Sequence, residues 1–135
     1  MSSLAHSRVT PLSAHLEGLV RAAMERQTFH EALEDIWKVV RAANAYIDHQ
    51  APWALNRTDK VRMGAVLRLL VDTIRTIATL LQPFMPTSMA NMLEQLGVPV
   101  HARSIAALAA PLADGIRLPA PRGVFPRYVE PAARC

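Results

Sequence analysis

The stretch Asn44-Ala45-Tyr46-Ile47-Asp48-His49-Gln50-Ala51-Pro52-Trp53 decides the fold. Its first half continues an apolar rhythm that starts well upstream, and its second half stops that rhythm. Pro52 has no N–H to donate to a helix, and its ring pushes Ala51 out of the α region, so a helix arriving here ends here. Trp53 is left on a bend between that helix and the next long one, beside Arg57, Lys60 and Arg62.

Working upstream, Thr28-Phe29-His30-Glu31 has the Thr-x-x-Glu form of a capping box, in which hydroxyl and carboxylate satisfy backbone N–H groups that a first helical turn leaves free. It predicts a helix beginning at Phe29. The inward stripe of that helix is predicted as Leu33, Ile36, Trp37, Val40, Ala43, Asn44 and Ile47, with Trp37 in the core and Asn44 as its polar member. Before it, Leu16, Leu19, Val20 and Ala23 recur at helical spacing and predict a first helix from Ser13 to about Gln27, with Pro11 and Ser13 at its start. Residues 1–10 show no periodicity and read as a flexible lead.

Downstream, Leu55, Asn56, Arg57 and Thr58 read as a connection, and Thr58 or Asp59 as the cap of a third helix. Leu67, Leu70, Val71, Ile74, Ile77, Ala78 and Leu81 form its inward stripe, while Asp72 on the other face is placed to pair with Arg68 or Arg75. Gln82-Pro83-Phe84-Met85-Pro86 reads as a turn into a fourth helix that runs through Leu96 and turns Met89, Met92, Leu93 and Leu96 inward. Gly97 suits the left-handed position after a helix end. Residues 104–110 suggest a short fifth helix. Pro111, Pro119, Pro121, Pro126 and Pro131 then predict an extended tail that lays Phe125 and Tyr128 across the helices. The expected architecture is all-α, a bundle of four to five helices over residues 11–110, with a lead at 1–10 and a Pro-rich tail at 111–135.

Composition agrees with this reading. A chain of 135 residues has room for one domain with a real core, and 51% hydrophobic residues with only 5 glycines suit packed helices. Asp72 and Arg75 interrupt the longest apolar run, so no segment reaches the roughly 18 to 20 apolar residues that span a bilayer. The N-terminus lacks the pattern of a secretion signal, and a cytoplasmic location is expected. Cys135 is the one cysteine, which excludes an intrachain disulfide and a Cys-based metal site.

His6, His15, His30, His49 and His101 are too scattered to form a helical metal pair, and no metal site is expected. No nucleophile elbow or Gly-rich phosphate loop is present, so no catalytic residues and no cofactor are assigned. The net charge of +4, from 13 Arg and 2 Lys against 11 acidic residues, permits phosphate neutralisation without requiring it. Two readings of Trp53 stay open on residue chemistry. The ring either plugs the gap between two helix ends, or it presents a flat plate on which an unpaired nucleobase stacks while Arg57, Lys60 and Arg62 attract phosphates.

The residues also resemble a family. Ile36-Trp37, Ala43-Asn44, Tyr46-Ile47-Asp48, Ala51-Pro52-Trp53, Leu55, Asp59, Arg75, Ile77-Ala78, Leu81, Pro83-Phe84-Met85-Pro86 and Leu96-Gly97 resemble, in that order, the C-terminal anticodon-binding helical domain of bacterial methionyl-tRNA synthetases, class I aminoacyl-tRNA synthetases. Leu118-Pro119 and Val124-Phe125-Pro126-Arg127 are similar to the linker that follows that domain, and the likeness covers roughly residues 16–130. It implies that Trp53 holds the place of the tryptophan that stacks on the first base of a CAU anticodon, with Pro52 fixing its aim. Asn44 is then assigned to holding the bend through backbone hydrogen bonds rather than to touching RNA.

The resemblance implies two partners, a tRNA with a CAU anticodon and a separate catalytic synthetase subunit. Two family features have no counterpart here. Residues 1–27 carry no Asn-x-x-x-Arg pair of the kind that hydrogen-bonds the anticodon bases. Neither the His-Ile-Gly-His-type signature nor the Lys-Met-Ser-Lys-Ser-type loop occurs, so ATP and methionine would bind a catalytic domain outside this chain, and no catalysis is expected of it alone. The missing first helix of the family should leave an apolar groove along the second and third helices, from which a homodimer is expected. The alternative function is an interaction or dimerisation bundle that has lost RNA binding.

Overall fold

Ala23 and Ala32, on either side of a tight reversal of the chain, have no exposed surface and belong to one buried cluster. The computed structural model describes the backbone of residues 2–131 and the side chains of residues 14–131; Cys135 lies outside them. Among the described residues there are five α-helices and no strand. They are α1 (Ser2–Glu25), α2 (Phe29–Gln50), α3 (Pro52–Thr58), α4 (Lys60–Leu81) and α5 (Pro86–Gln95), followed by 3-10 turns at Val100–Ala102 and Ala106–Ala109. No helix among the described residues is long and apolar enough to cross a membrane.

The first helix, expected from Ser13, is longer than the spacing predicts. The α1 backbone is helical from Ser2, and Pro11 lies inside the helix rather than at its start. The capping box is corrected. The Thr28 hydroxyl lies 3.1 Å from the Ala23 carbonyl oxygen and 3.0 Å from Glu31 Oε2, and the side chain caps no backbone N–H. Glu31 also accepts from Arg26 at 3.0 Å. Those bonds, Arg26's first and Thr28's second, hold the Glu31 carboxyl below its ordinary value.

The buried stripe of α2 is Ala32, Ile36, Val39, Ala43, Tyr46 and Gln50, in steps of four and three. The predicted stripe was rotated from it. Leu33 is exposed, and Trp37, expected in the core, is 52% exposed. Small residues at Ala32 and Ala43 let neighbouring helices approach closely, whereas the large side chains one position further on would hold them apart. A pattern scored by hydrophobic size therefore selects the wrong face.

The main cluster joins Leu16, Val20 and Ala23 of α1 to Ile36 and Val39 of α2, Ile77, Ala78, Leu80 and Leu81 of α4, and Met89 and Leu93 of α5. A second cluster of Tyr46, Val66 and Leu70 binds the end of α2 to the start of α4. These two helices therefore run antiparallel. The groove expected along them is thus partly filled, because α1 covers one side of α2.

The tail is bound by arginines. Arg68 pairs with Asp72 at 3.1 Å as expected, and it also donates to the Leu112 carbonyl at 2.7 Å and to Asp114 at 3.1 Å. Arg75 does not join Asp72. It is 5% exposed and donates to the Ala110 and Ala107 carbonyls at 2.8 and 2.7 Å. In place of a fifth α-helix over 104–110 there is a short 3-10 turn at Ala106–Ala109, and its Ala107 carbonyl accepts from both the Ala110 N–H and Arg75. Phe125 and Tyr128, expected to pack on the helices, are 61% and 86% exposed.

Gly97 has φ +73 as expected, and a Cβ built there would lie 2.5 Å from Ile116 Cγ2. Gly97→Ala is expected to cost about 2 kcal/mol through strain and this clash. Gly64, inside α4 with nothing within 4 Å of a Cβ, is the control. Gly64→Ala should raise stability by up to about 1 kcal/mol, because alanine is the better helix former. Urea melts of both variants check the pair, and equal effects would contradict the Gly97 account.

Candidate nucleic-acid interface

The bend after Gln50 is tighter than the sequence suggests. Ala51 takes φ 43 and ψ 64, a left-handed conformation uncommon for a residue with a β-carbon, and its N–H donates to the Ile47 carbonyl at 2.9 Å. Pro52 then occupies the first helical position of α3, where its fixed φ suits a helix start and its missing N–H costs nothing. Residues 55–58, expected as a connection, are thus part of a helix of 7 residues.

Trp53 is 65% exposed, which excludes the reading of its ring as a plug between helix ends. Arg57 is one helical turn further along and exposed, so it shares the face that carries the indole. Asp59 separates α3 from α4 and accepts from the Arg62 backbone N–H at 3.0 Å, making it the cap left open between Thr58 and Asp59. Lys60, the first residue of α4, is exposed. Among the described residues no ion pair engages Arg57 or Lys60. The corner therefore offers an aromatic plate and two unneutralised cations.

Two candidate residues stand apart from that surface. Arg62, grouped with the phosphate-attracting cations, donates through Nη2 to Gln50 Oε1 at 2.7 Å and so is engaged by a side chain of the protein itself. Asn44 is exposed on α2, and the bend is closed by the Ala51 N–H to Ile47 and the Asp59 N–H to Leu55, at 2.9 and 2.8 Å, with no part for Asn44. The exposed amide is instead open to solvent.

Gln50 and Tyr46 were missed in the sequence. Gln50 is 5% exposed and Tyr46 2%. Burial pushes the Tyr46 phenol above its ordinary value, while the nearby Arg62 charge acts the other way. The steps of four and three that end at Gln50 contained the signal. A glutamine closing an otherwise apolar stripe beside a proline marks a buried amide, and a buried amide needs a partner.

The architecture can be compared with known proteins. The family model for the anticodon binding domain of methionyl tRNA ligase matches residues 5–133. The methionine–tRNA ligase of Brucella suis biovar 1 is 49% identical over 111 residues, which is 82% of this chain and 22% of the relative. That of Mycobacterium tuberculosis strain H37Rv is 39% identical over 127 residues, covering 89% of this chain and 24% of the relative. The crystal structure of the apo form of Mycobacterium tuberculosis methionyl-tRNA synthetase superposes with a TM-score of 0.89 at 36% identity, over 94% of this chain and 26% of that one. Its complex with methionyl-adenylate gives 0.87 at 35% identity, over 90% and 25%. The chain thus spans about a quarter of the length of these relatives. With the family model covering nearly all of it and the helices superposing throughout, the chain belongs to the family of the anticodon binding domain of methionyl tRNA ligase.

Proposed function

We propose that the Ala51-Pro52-Trp53 corner binds the anticodon loop of a tRNA carrying CAU, with the Trp53 ring stacked on a splayed anticodon base and Arg57 and Lys60 set against backbone phosphates. The observation that carries this reading is the indole, 65% exposed on a helix that buries none of its own residues. Single-stranded loops are read by such plates because every base has a π-face, while cations along the strand supply affinity. ATP and methionine act at a catalytic synthetase subunit, for which this module supplies the grip on tRNA. Filter binding at fixed salt tests the reading. A CAU tRNA should bind roughly tenfold or more tightly than the same tRNA with its anticodon loop paired to a complementary oligonucleotide, which leaves no base free to stack and so removes a contribution of the size that base stacking supplies. Equal affinities would overturn it.

A second reading is favoured by the outer face of α2, where Phe29, Leu33 and Trp37 are 50%, 38% and 52% exposed. Beside them lies a groove of about 480 Å³ lined by Leu33, Trp37, Arg41, Leu81 and Met85. A two-fold dimer through this face would bury these exposed side chains against those of a second copy. This homodimer leaves the Trp53 corner open. Light scattering should give a mass rising with concentration from 14.9 kDa toward twice that value, and Trp37→Glu should hold it at 14.9 kDa. A wild-type mass of 14.9 kDa at millimolar concentration would remove the dimer.

A further inference from the structure

Helix α3 buries none of its own residues completely; Leu55 packs from one side on the Tyr46, Val66 and Leu70 cluster, and hydrogen bonds hold both ends. At the first end Gln50 precedes the left-handed Ala51 and is buried, with Oε1 accepting from Arg62 Nη2 at 2.7 Å. At the other end the Arg62 backbone N–H donates to Asp59 Oδ1 at 3.0 Å. One residue of α4 therefore holds both ends of the short helix that carries Trp53. Below it, Tyr46, Val66 and Leu70 form a buried floor, with Tyr46 one turn before Gln50 and Val66 one turn after Arg62.

The Gln50 amide carries a second mark. Its Nε2 is buried with no hydrogen-bond partner. An apolar side chain would fill that space without stranding a donor, so the site keeps an amide for what its oxygen does. Exchanging oxygen and nitrogen would point N–H groups at the guanidinium, donor against donor, so the orientation is determined by Arg62 itself.

We propose that the Gln50–Arg62 bond is a positioning clamp for Trp53. Arg62 acts on RNA binding through Gln50 and α3 and not through a phosphate. Gln50 and Arg62 are positioning residues, and the clamp rests on the reading of Trp53 as the base-stacking plate.

The test uses a Trp37→Phe background, which leaves Trp53 as the one tryptophan of the 2 in the chain. Two readouts are taken, the nanosecond anisotropy decay of Trp53 in free protein and the Kd for CAU tRNA. Gln50→Leu and Arg62→Met should each free the indole to move faster and raise Kd roughly tenfold, the scale of one charge-assisted hydrogen bond, and the double variant should be no worse than either single one. Gln50→Glu, which keeps an acceptor for Arg62, should stay near the parent in both readouts. Arg62→Lys keeps the charge but loses the guanidinium reach, and should behave like Arg62→Met.

Unchanged anisotropy in Gln50→Leu and Arg62→Met would overturn the clamp. So would a tRNA defect confined to Arg62→Met with Gln50→Leu and Arg62→Lys normal, the pattern of a phosphate contact. Because the anisotropy is read without RNA, faster motion with unchanged Kd would keep the mechanical clamp and place the failure in the stacking role of Trp53.

Discussion

Trp53→Ala is expected to weaken binding of a CAU tRNA by roughly 5- to 150-fold, the equivalent of about 1 to 3 kcal/mol that one base–aromatic stack contributes. The same change should leave the melting temperature within about 2 °C of the parent, because truncating an exposed side chain away from caps and core costs within about 0.5 kcal/mol. Trp53 belongs to neither buried cluster, and at 65% exposure its ring has little packing to lose. A large loss of affinity with no loss of stability is the signature of a binding residue. Trp53→Phe should recover part of the affinity, since a smaller ring still stacks. Unchanged affinity in Trp53→Ala would end the anticodon reading, and a steep fall in melting temperature would return the residue to a structural role.

Arg75→Met carries the largest expected effect on stability, a loss of about 2 to 4 kcal/mol and a fall of roughly 10 °C in melting temperature. Two charge-assisted bonds, to the Ala107 and Ala110 carbonyls, disappear; Ala107 keeps the Ala110 N–H as a donor, while the Ala110 carbonyl loses the guanidinium. Part of the loss is offset, because Arg75 Nε is itself buried without a partner and the buried guanidinium no longer has to be desolvated. The tail should loosen before the bundle does. Limited trypsin digestion is expected to cut faster at Arg103 and Arg117 in the variant while the helices stay intact. Arg68→Met should do less, because its side chain is 36% exposed and water can replace much of what it provides. Equal proteolysis of parent and Arg75→Met would show that the tail is held by something else.

Much of the bundle was legible because helix boundaries are written in local chemistry. Pro52 and Pro86 open helices, Asp59 caps α4, and Gly97 takes the left-handed exit that only a glycine accepts without strain. The resemblance around Ala51-Pro52-Trp53 led to the family because that string lies at the corner where the chain direction is decided. Which side of each helix faces inward was less legible. Periodicity gives the angular spacing of a stripe but not its phase when two stripes compete, and on α2 the larger residues lay on the outer one.

From the sequence alone came the helix breaks, the absence of catalytic signatures and the position of the indole on a bend, since each of these follows from a residue's own backbone preferences or chemistry. Only the tertiary structure decided that Arg75 and Arg68 hold the tail, that Trp37 faces outward, and that Arg62 belongs to Gln50 rather than to the free cations. The physical reason is that a long flexible cation selects its partner from everything within reach after folding. Gln50 and Arg62 are twelve positions apart along the chain and come within 2.7 Å because α2 and α4 pack against one another.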